Sequence, residues 1–315
     1  MQLAPICLFV YNRLDETKIT VEALKANFLA AESKLFIFSD GFKNAETQSK
    51  VEEVRAYIKT ITGFKEITLI ESAVNKGLAS SIIEGVTKIV NTHGTVIVLE
   101  DDLVTTPNFL DFMNQSLQFY ESNTSIQSIS GFSMKIKNKL KDSDVFFHQR
   151  THSWGWATWG NRWDKNIFYP IYITDTIASK PNILKNFNKQ CGNDISEMLL
   201  NSLSGKNNSW YVRWVFDHFI TKRLTVYPFL SKVYNIGFSD NGTHCKGIDV
   251  FKTEIDQLHL KKFLFLEQFE NQLINNDFLE YFRKSYKLKF RLKLLLTQSG
   301  RIEVYRDVKN KILKK

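Results

Sequence analysis

The apolar and polar positions of the first hundred residues fall into a repeating unit. Ile6-Cys7-Leu8-Phe9-Val10 is an uninterrupted apolar run, followed by the polar Tyr11-Asn12-Arg13 and then by Ile19, Ala23, Leu24 and Phe28 near helical spacing. Leu35-Phe36-Ile37-Phe38 likewise runs into Ser39-Asp40-Gly41 and precedes Val51, Val54, Ile58 and Ile61 on one helical face. Ile67-Thr68-Leu69-Ile70 leads through Asn75-Lys76-Gly77 to Leu78, Ile82, Val86 and Ile89. The fourth run, Thr95-Val96-Ile97-Val98-Leu99, ends in three consecutive acids, Glu100, Asp101 and Asp102. Short runs of Val, Ile and Leu without alternation are strands buried on both faces, and strands alternating with helices build βαβ units with right-handed crossovers. The pattern predicts an α/β fold, a doubly wound and mostly parallel sheet with helices on both faces.

Open sheets of this kind bind ligands at the carboxyl ends of their strands. That edge receives Asn12 and Arg13, then Asp40, then Asn75 and Lys76, then the acidic triplet. Three adjacent acids need a cation there. Carboxylate oxygens suit Mg²⁺ or Mn²⁺, which usually completes its shell with a substrate diphosphate and water. The competing reading makes Asp101 and Asp102 solvated turn residues ahead of the next helix. No GxGxxG follows the first strand and no GxxxxGK[ST] occurs anywhere, which argues against a dinucleotide oxidoreductase and a P-loop NTPase.

Thr106 and Pro107 suit the start of a helix carrying Phe109, Phe112, Met113 and Leu117, and 125–132 reads as a fifth strand. Lys135 to Lys141 reads as a basic loop or hairpin. Between Trp154 and Trp163 lie four of the six tryptophans, too many to bury efficiently in one element. Trp154, Trp156 and Trp159, with Trp214, are expected to wall an acceptor site, since their flat faces stack on sugar rings; pinning a loop against the sheet is the plainer role for any one of them. Residues 165–205 carry no readable chemistry. On a helix Trp210, Trp214 and Asp217 share a face, so Asp217 is either a general base or the partner of a nearby arginine or backbone amide. Residues 235–245 form a turn-rich loop ending near His244, a candidate metal ligand if it is not merely structural.

Composition narrows the class. With 315 residues, 43% hydrophobic and 13% aromatic, the chain can build a large core. It has no apolar run of 18 residues and no signal-like N-terminus, so a cytoplasmic location is expected. Cys7, Cys191 and Cys245 lack CxxC spacing and are expected to be reduced and structural. The net charge of +9 suits phosphorylated substrates or an anionic membrane, and no nucleic-acid partner is expected. Twelve Lys and Arg against two acids give residues 283–315 a charge of +10, so the rest of the chain is near neutral. As a helix, Phe278, Tyr281, Phe282, Leu288, Leu292, Leu295 and Leu296 would share a face suited to a membrane interface. The alternation at 287–294 fits an edge strand equally well, and a solvated helix packed on the domain is the ordinary alternative.

Several segments together resemble a known group. They are Val98-Leu99-Glu100-Asp101-Asp102-Leu103 followed by Pro107 and Phe109, Trp-Gly-Trp-Ala-Thr-Trp at 154–159, Ser-Trp-x-x-Arg-Trp at 209–214, and Asn235-Ile236-Gly237-Phe238 running to Gly242-Thr243-His244. In this order, over roughly residues 5–250, they are similar to nucleotide-sugar-dependent glycosyltransferases of the GT-A fold. The likeness is greatest to the α-1,3-mannosyl-glycoprotein N-acetylglucosaminyltransferase group and its bacterial relatives. The resemblance implies that Asp102 binds the metal, that Glu100 and Asp101 contact ribose and donor sugar, and that Asn12, Arg13 and Asp40 lie at the nucleobase and ribose. Asn75 and Lys76 would meet sugar and phosphate. It implies a nucleotide-sugar donor, UDP-linked by preference, and a glycan or lipid-linked glycan acceptor, as in bacterial lipopolysaccharide or capsule synthesis. One departure is the group's Trp-Asp-Asp-Trp base motif, replaced here by Val212-Arg213-Trp214.

Three organisational parts follow: a nucleotide-sugar-binding half at 1–132, an acceptor-binding half at 133–250, and a basic helical extension at 251–315. An inverting transferase needs one carboxylate to take the acceptor proton. A sugar-1-phosphate nucleotidyltransferase should instead carry a glycine-rich basic loop after the first strand, which Tyr11-Asn12-Arg13-Leu14-Asp15 is not. A catalytically inactive carbohydrate- or membrane-binding module is the third reading.

Overall fold

The computed structural model describes residues 2–237, 251, 253–298, 300–302, 304 and 305. The predicted repeat is present as β1 (Ile6–Val10), α1 (Leu14–Lys25), β2 (Lys34–Ser39), α2 (Ala45–Ile58), β3 (Glu66–Glu71), α3 (Leu78–His93) and β4 (Thr95–Glu100). These strands pair in parallel in the order β3-β2-β1-β4. Alternate residues of β1 face opposite layers: Ile6, Leu8 and Val10 pack with α1 and α2, whereas Cys7 and Phe9 pack with α3. That two-sided burial is why the strands carry no polar alternation.

The second half continues the same sheet. It comprises β5 (Leu103–Thr105), α4 (Phe109–Phe119), β6 (Ile126–Ser130), β7 (Val145–His148), β8 (Trp156–Trp159), α5 (Pro170–Ser179), α6 (Ile183–Cys191), α7 (Ile195–Leu203), α8 (Trp210–Thr221), β9 (Leu224–Pro228) and β10 (Val233–Asn235). The full order is β3-β2-β1-β4-β8-β6-β9-β7, with β8 antiparallel to both neighbours, β6 and β9 parallel, and β7 antiparallel at the edge. A separate antiparallel ribbon joins β5 to β10, so the chain just after the acidic triplet lies beside Asn235.

The tryptophan segment departs from expectation. Trp156 and Trp214 are fully buried and Trp159 is 4% exposed, so none of the three walls an acceptor site. A strand between two others, with a layer on each face, buries large rings on both sides: Trp156 stacks within a cluster with Trp163, Trp210 and Trp214, and Trp159 turns to the opposite core. Its indole donates to the carbonyl of Leu117, and Arg162 covers its face.

The C-terminal part wraps back over this half. The buried pair Lys232–Asp256, with Asn108 also donating to Asp256, fixes the segment near 256 to α4 and the β10 approach. Then come α9 (Gln272–Glu280) and α10 (Lys284–Leu294). Phe278, Tyr281 and Phe282 are buried, Phe278 stacking on His148, so they do not share an outward face with the later leucines. Residues 287–294 are helical, which rules out the edge strand.

Candidate active site

The carboxyl ends of β1 to β4 open into a cavity of about 650 Å³ whose far side is supplied by the second half of the chain. At the strand ends, Asp40 organises the neighbouring loop. Its oxygens accept the backbone N–H groups of Gly41, Lys76 and Gly77 at 2.9, 2.9 and 2.8 Å and the side-chain amide of Asn75 at 3.1 Å. Arg55 holds the same turn from behind through the carbonyls of Asp40 and Ser72. Asn12, Arg13, Asp40, Asn75 and Gly77 line the cavity over the rings of Phe9 and Phe38, stacked at 4.9 Å. Lys76 is not brought there: its ammonium pairs with Glu84 at 2.7 Å on the exposed side of α3. The sequence spacing located its backbone but could not give the direction of a flexible side chain.

Glu100, Asp101 and Asp102 all line the cavity. Arg13 bridges the last two, donating to Asp102 at 3.0 Å through Nη1 and to Asp101 through Nη2. The second oxygen of Asp101 accepts from the N–H of Tyr11, and that of Asp102 from the Asn235 amide at 3.4 Å. Gly237 closes on Asp102 so tightly that an added Cβ would lie 2.2 Å from Oδ2, so a larger residue there would have to displace that carboxylate. Burial, and then the charges of Asp102 and Asp101, push the Glu100 carboxyl up to about 8. Burial also raises Asp101, to about 6, against the opposing pull of Arg13. Burial disfavours the Arg13 charge, but Asp101 and Asp102 outweigh it and keep the guanidinium protonated beyond its ordinary range. Three acids facing one guanidinium leave the site short of positive charge, and hard oxygen donors in that condition fit a divalent cation. Among the described residues no group of three His, Cys, Asp or Glu side chains is arranged to hold a metal ion by itself. An open site with one or two protein carboxylates is the usual Mg²⁺ arrangement.

Apart from Trp154, the opposite wall was invisible in the sequence. Arg150, just after β7, donates to the Cys191 carbonyl and to Asp194, each at 2.8 Å, and to the Tyr211 hydroxyl at 3.1 Å, and lies 3.6 Å over the Phe282 ring. Gly192, at φ +111, leaves room for that guanidinium. Lys287 of α10 reaches Asp194 at 3.6 Å. Burial opposes the Asp194 charge, yet Arg150 holds its carboxyl below the usual range. His152, driven down to about 3 by burial and then by Arg150, is a neutral ring against Trp154. Of the four tryptophans expected to wall the site, Trp154 alone lines this cavity, and Trp210 joins it from the first turn of α8.

Asp217 lies outside it. The residue is buried two turns along α8 and accepts from the Gln127 amide, and burial raises its carboxyl, a placement that fits the structural alternative. His244 lies outside the described residues.

Residues 6–180 match the family model described as Glycosyl transferase family 2. No curated protein matches the chain. Similar solved structures include the mannosyltransferase PcManGT from Pyrobaculum calidifontis in complex with GDP-Man and Mn²⁺, at 12% identity over 50% of this chain and 44% of that one, TM-score 0.35. S. aureus TarS aligns at 11% identity over 50% of this chain and 28% of its own, TM-score 0.34. A UDP-glucose pyrophosphorylase complexed with UDP-glucose aligns at 13% over 74% and 93%, TM-score 0.37. The chain thus spans less than half the length of the first two.

Proposed function

We propose a reaction for a chain that belongs to glycosyl transferase family 2: transfer of a sugar from a nucleoside-diphosphate sugar to a glycan hydroxyl, by single displacement with inversion. The observation that carries this is the acidic triplet at the end of β4, facing one cavity with three other strand ends and an aromatic, arginine-lined opposite wall. Asn12, Asp40 and Asn75 take the nucleoside end, Arg13 the diphosphate, and Glu100 and Asp101 the ribose and donor sugar. Asp102 would hold Mn²⁺ or Mg²⁺, which when bound offsets the negative charge gathering on the departing diphosphate. The acceptor stacks on Trp154 and Tyr211. Asp194, kept ionised by Arg150 and Lys287, takes the hydroxyl proton as that oxygen bonds to the anomeric carbon and the bond to the diphosphate breaks.

The resemblance to the N-acetylglucosaminyltransferase group supports a UDP-linked hexose or N-acetylhexosamine donor and an acceptor in a bacterial surface polysaccharide. Among the described residues no helix is long and apolar enough to cross a membrane. We read the enzyme as cytoplasmic and peripheral, resting α10 on an anionic membrane surface. Leu288, Leu292, Leu295 and Leu296, 60, 55, 40 and 78% exposed, form one outward stripe at i, i+4, i+7 and i+8. Lys284, Lys287 and Arg291 flank it on one side and Lys289 and Lys293 on the other, the layout of an interfacial helix. Incubation with Mn²⁺ and a panel of nucleotide sugars tests the reaction: slow release of UDP or GDP supports transfer, and pyrophosphate-dependent exchange would replace it with nucleotidyl transfer.

A further inference from the structure

The four carboxylate oxygens of Asp101 and Asp102 are all engaged. Each acid gives one oxygen to the frame, Tyr11 N–H or the Asn235 amide, and the other to the Arg13 guanidinium. Arg13 thus holds one oxygen of Asp102, the acid proposed for the metal, and one of its neighbour Asp101, and its positive charge competes there with a divalent cation. Arg13 can leave without unfolding anything. Its backbone is anchored, with the carbonyl accepting both the N–H and the hydroxyl of Thr17 at 3.0 and 2.6 Å, but its side chain is 17% exposed and faces the cavity. A guanidinium also forms paired bonds to phosphate oxygens as readily as to carboxylates, so an arriving diphosphate offers it an equivalent partner.

We infer that Arg13 is an internal counter-cation that occupies the acidic pair in the free enzyme and vacates it only for the donor's diphosphate, so that the divalent cation binds with the nucleotide and not before it. This rests on the proposed metal-dependent reading of the site and adds an order of binding to it. Two consequences follow for the free enzyme. The acids stay neutralised and correctly oriented while the cavity waits, and metal enters where a phosphate is present to share it. Because binding free energies are linked, the nucleotide tightens the metal by the same factor as the metal tightens the nucleotide.

The test is Mn²⁺ binding, followed through the electron paramagnetic resonance signal of the free ion, on wild type, Arg13→Gln and Arg13→Lys, each alone and with UDP or GDP. Wild type is expected to bind Mn²⁺ weakly alone and at least about tenfold more tightly with the matching nucleotide. Arg13→Gln, which lacks the positive charge, should bind Mn²⁺ alone at least about tenfold more tightly than wild type and gain less from the nucleotide. Arg13→Lys, a point charge without the fork, should fall between them and carries the comparison if the glutamine variant does not fold. Free wild type binding Mn²⁺ as tightly as its nucleotide complex, or variants that bind no better than wild type, would overturn the inference and leave the metal reading standing. Failure of every protein to bind Mn²⁺ even with nucleotide would remove the metal and the inference together.

Discussion

A carboxylate can take a proton from an acceptor hydroxyl only if it is ionised and within reach. Asp217 fails the second: it does not line the cavity, and Gln127 occupies its carboxylate. Asp194 is held ionised by Arg150 and borders the cavity beside Lys287. Asp194→Asn should therefore lower kcat by roughly 10²-fold or more while nucleotide affinity is kept, and Asp217→Asn should leave kcat within a few-fold. Titration of UDP or GDP into each variant, beside transfer kinetics, separates the two effects. A loss confined to Asp217→Asn would reverse the assignment. The spacing of Trp210, Trp214 and Asp217 identified a shared helical face, but a period says nothing about which turn reaches a cavity. Asp217 lies about 10 Å along the axis from Trp210. Asp194 gave no sequence signal, because its partner Arg150 comes from a loop 44 residues earlier and the pair exists only once both segments fold against α8.

Among the elements, β1 to β4 and their helices were legible because strands buried on both faces leave unbroken apolar runs, and the polar loops then had to gather at one edge. The tryptophan strand was not, since a count of large rings cannot reveal that β8 lies between β4 and β6 with a core on each face. The basic C-terminal helix was half legible. Its charge and leucines were evident, but Phe278, Tyr281 and Phe282 turned inward, leaving the stripe from Leu288 to Leu296 outside. Basic residues contribute about 1 kcal/mol each near an anionic leaflet. The full chain should cosediment with vesicles containing phosphatidylglycerol at low salt and less at high salt. The double variant Leu288→Ser, Leu292→Ser, altered only at exposed positions, should stay largely in solution. Equal pelleting of both proteins would mean that the stripe is not the docking face.

At the scale of the whole fold, three imidazoles among the described residues are buried, His148, His152 and His218, each held near 3 by desolvation, whereas in the unfolded chain they titrate near 6.5. Between those values the unfolded state takes up protons that the folded state refuses, so this contribution is complete above about 6.5 and is lost as pH falls. Glu100 and Asp101, raised to about 8 and about 6, act in the opposite sense and favour the folded state on acidification. Asp111 and Asp217, raised by burial, add to that sense, and the three imidazoles, together displaced furthest, still set the sign: unfolding takes up protons near pH 5. The thermal midpoint of the ligand-free protein should drop between pH 6.5 and 5, and a midpoint that rises over that interval would contradict this balance. The role proposed for the acidic end of β4 in sugar transfer rests on Asp102. Its most direct test is release of UDP or GDP from the nucleotide sugar that wild type turns over with Mn²⁺, repeated on Asp102→Asn at matched folding by circular dichroism. The variant should remain folded and lose Mn²⁺-dependent release by about 10²-fold or more; release at the wild-type rate with unchanged dependence on Mn²⁺ would overturn that role.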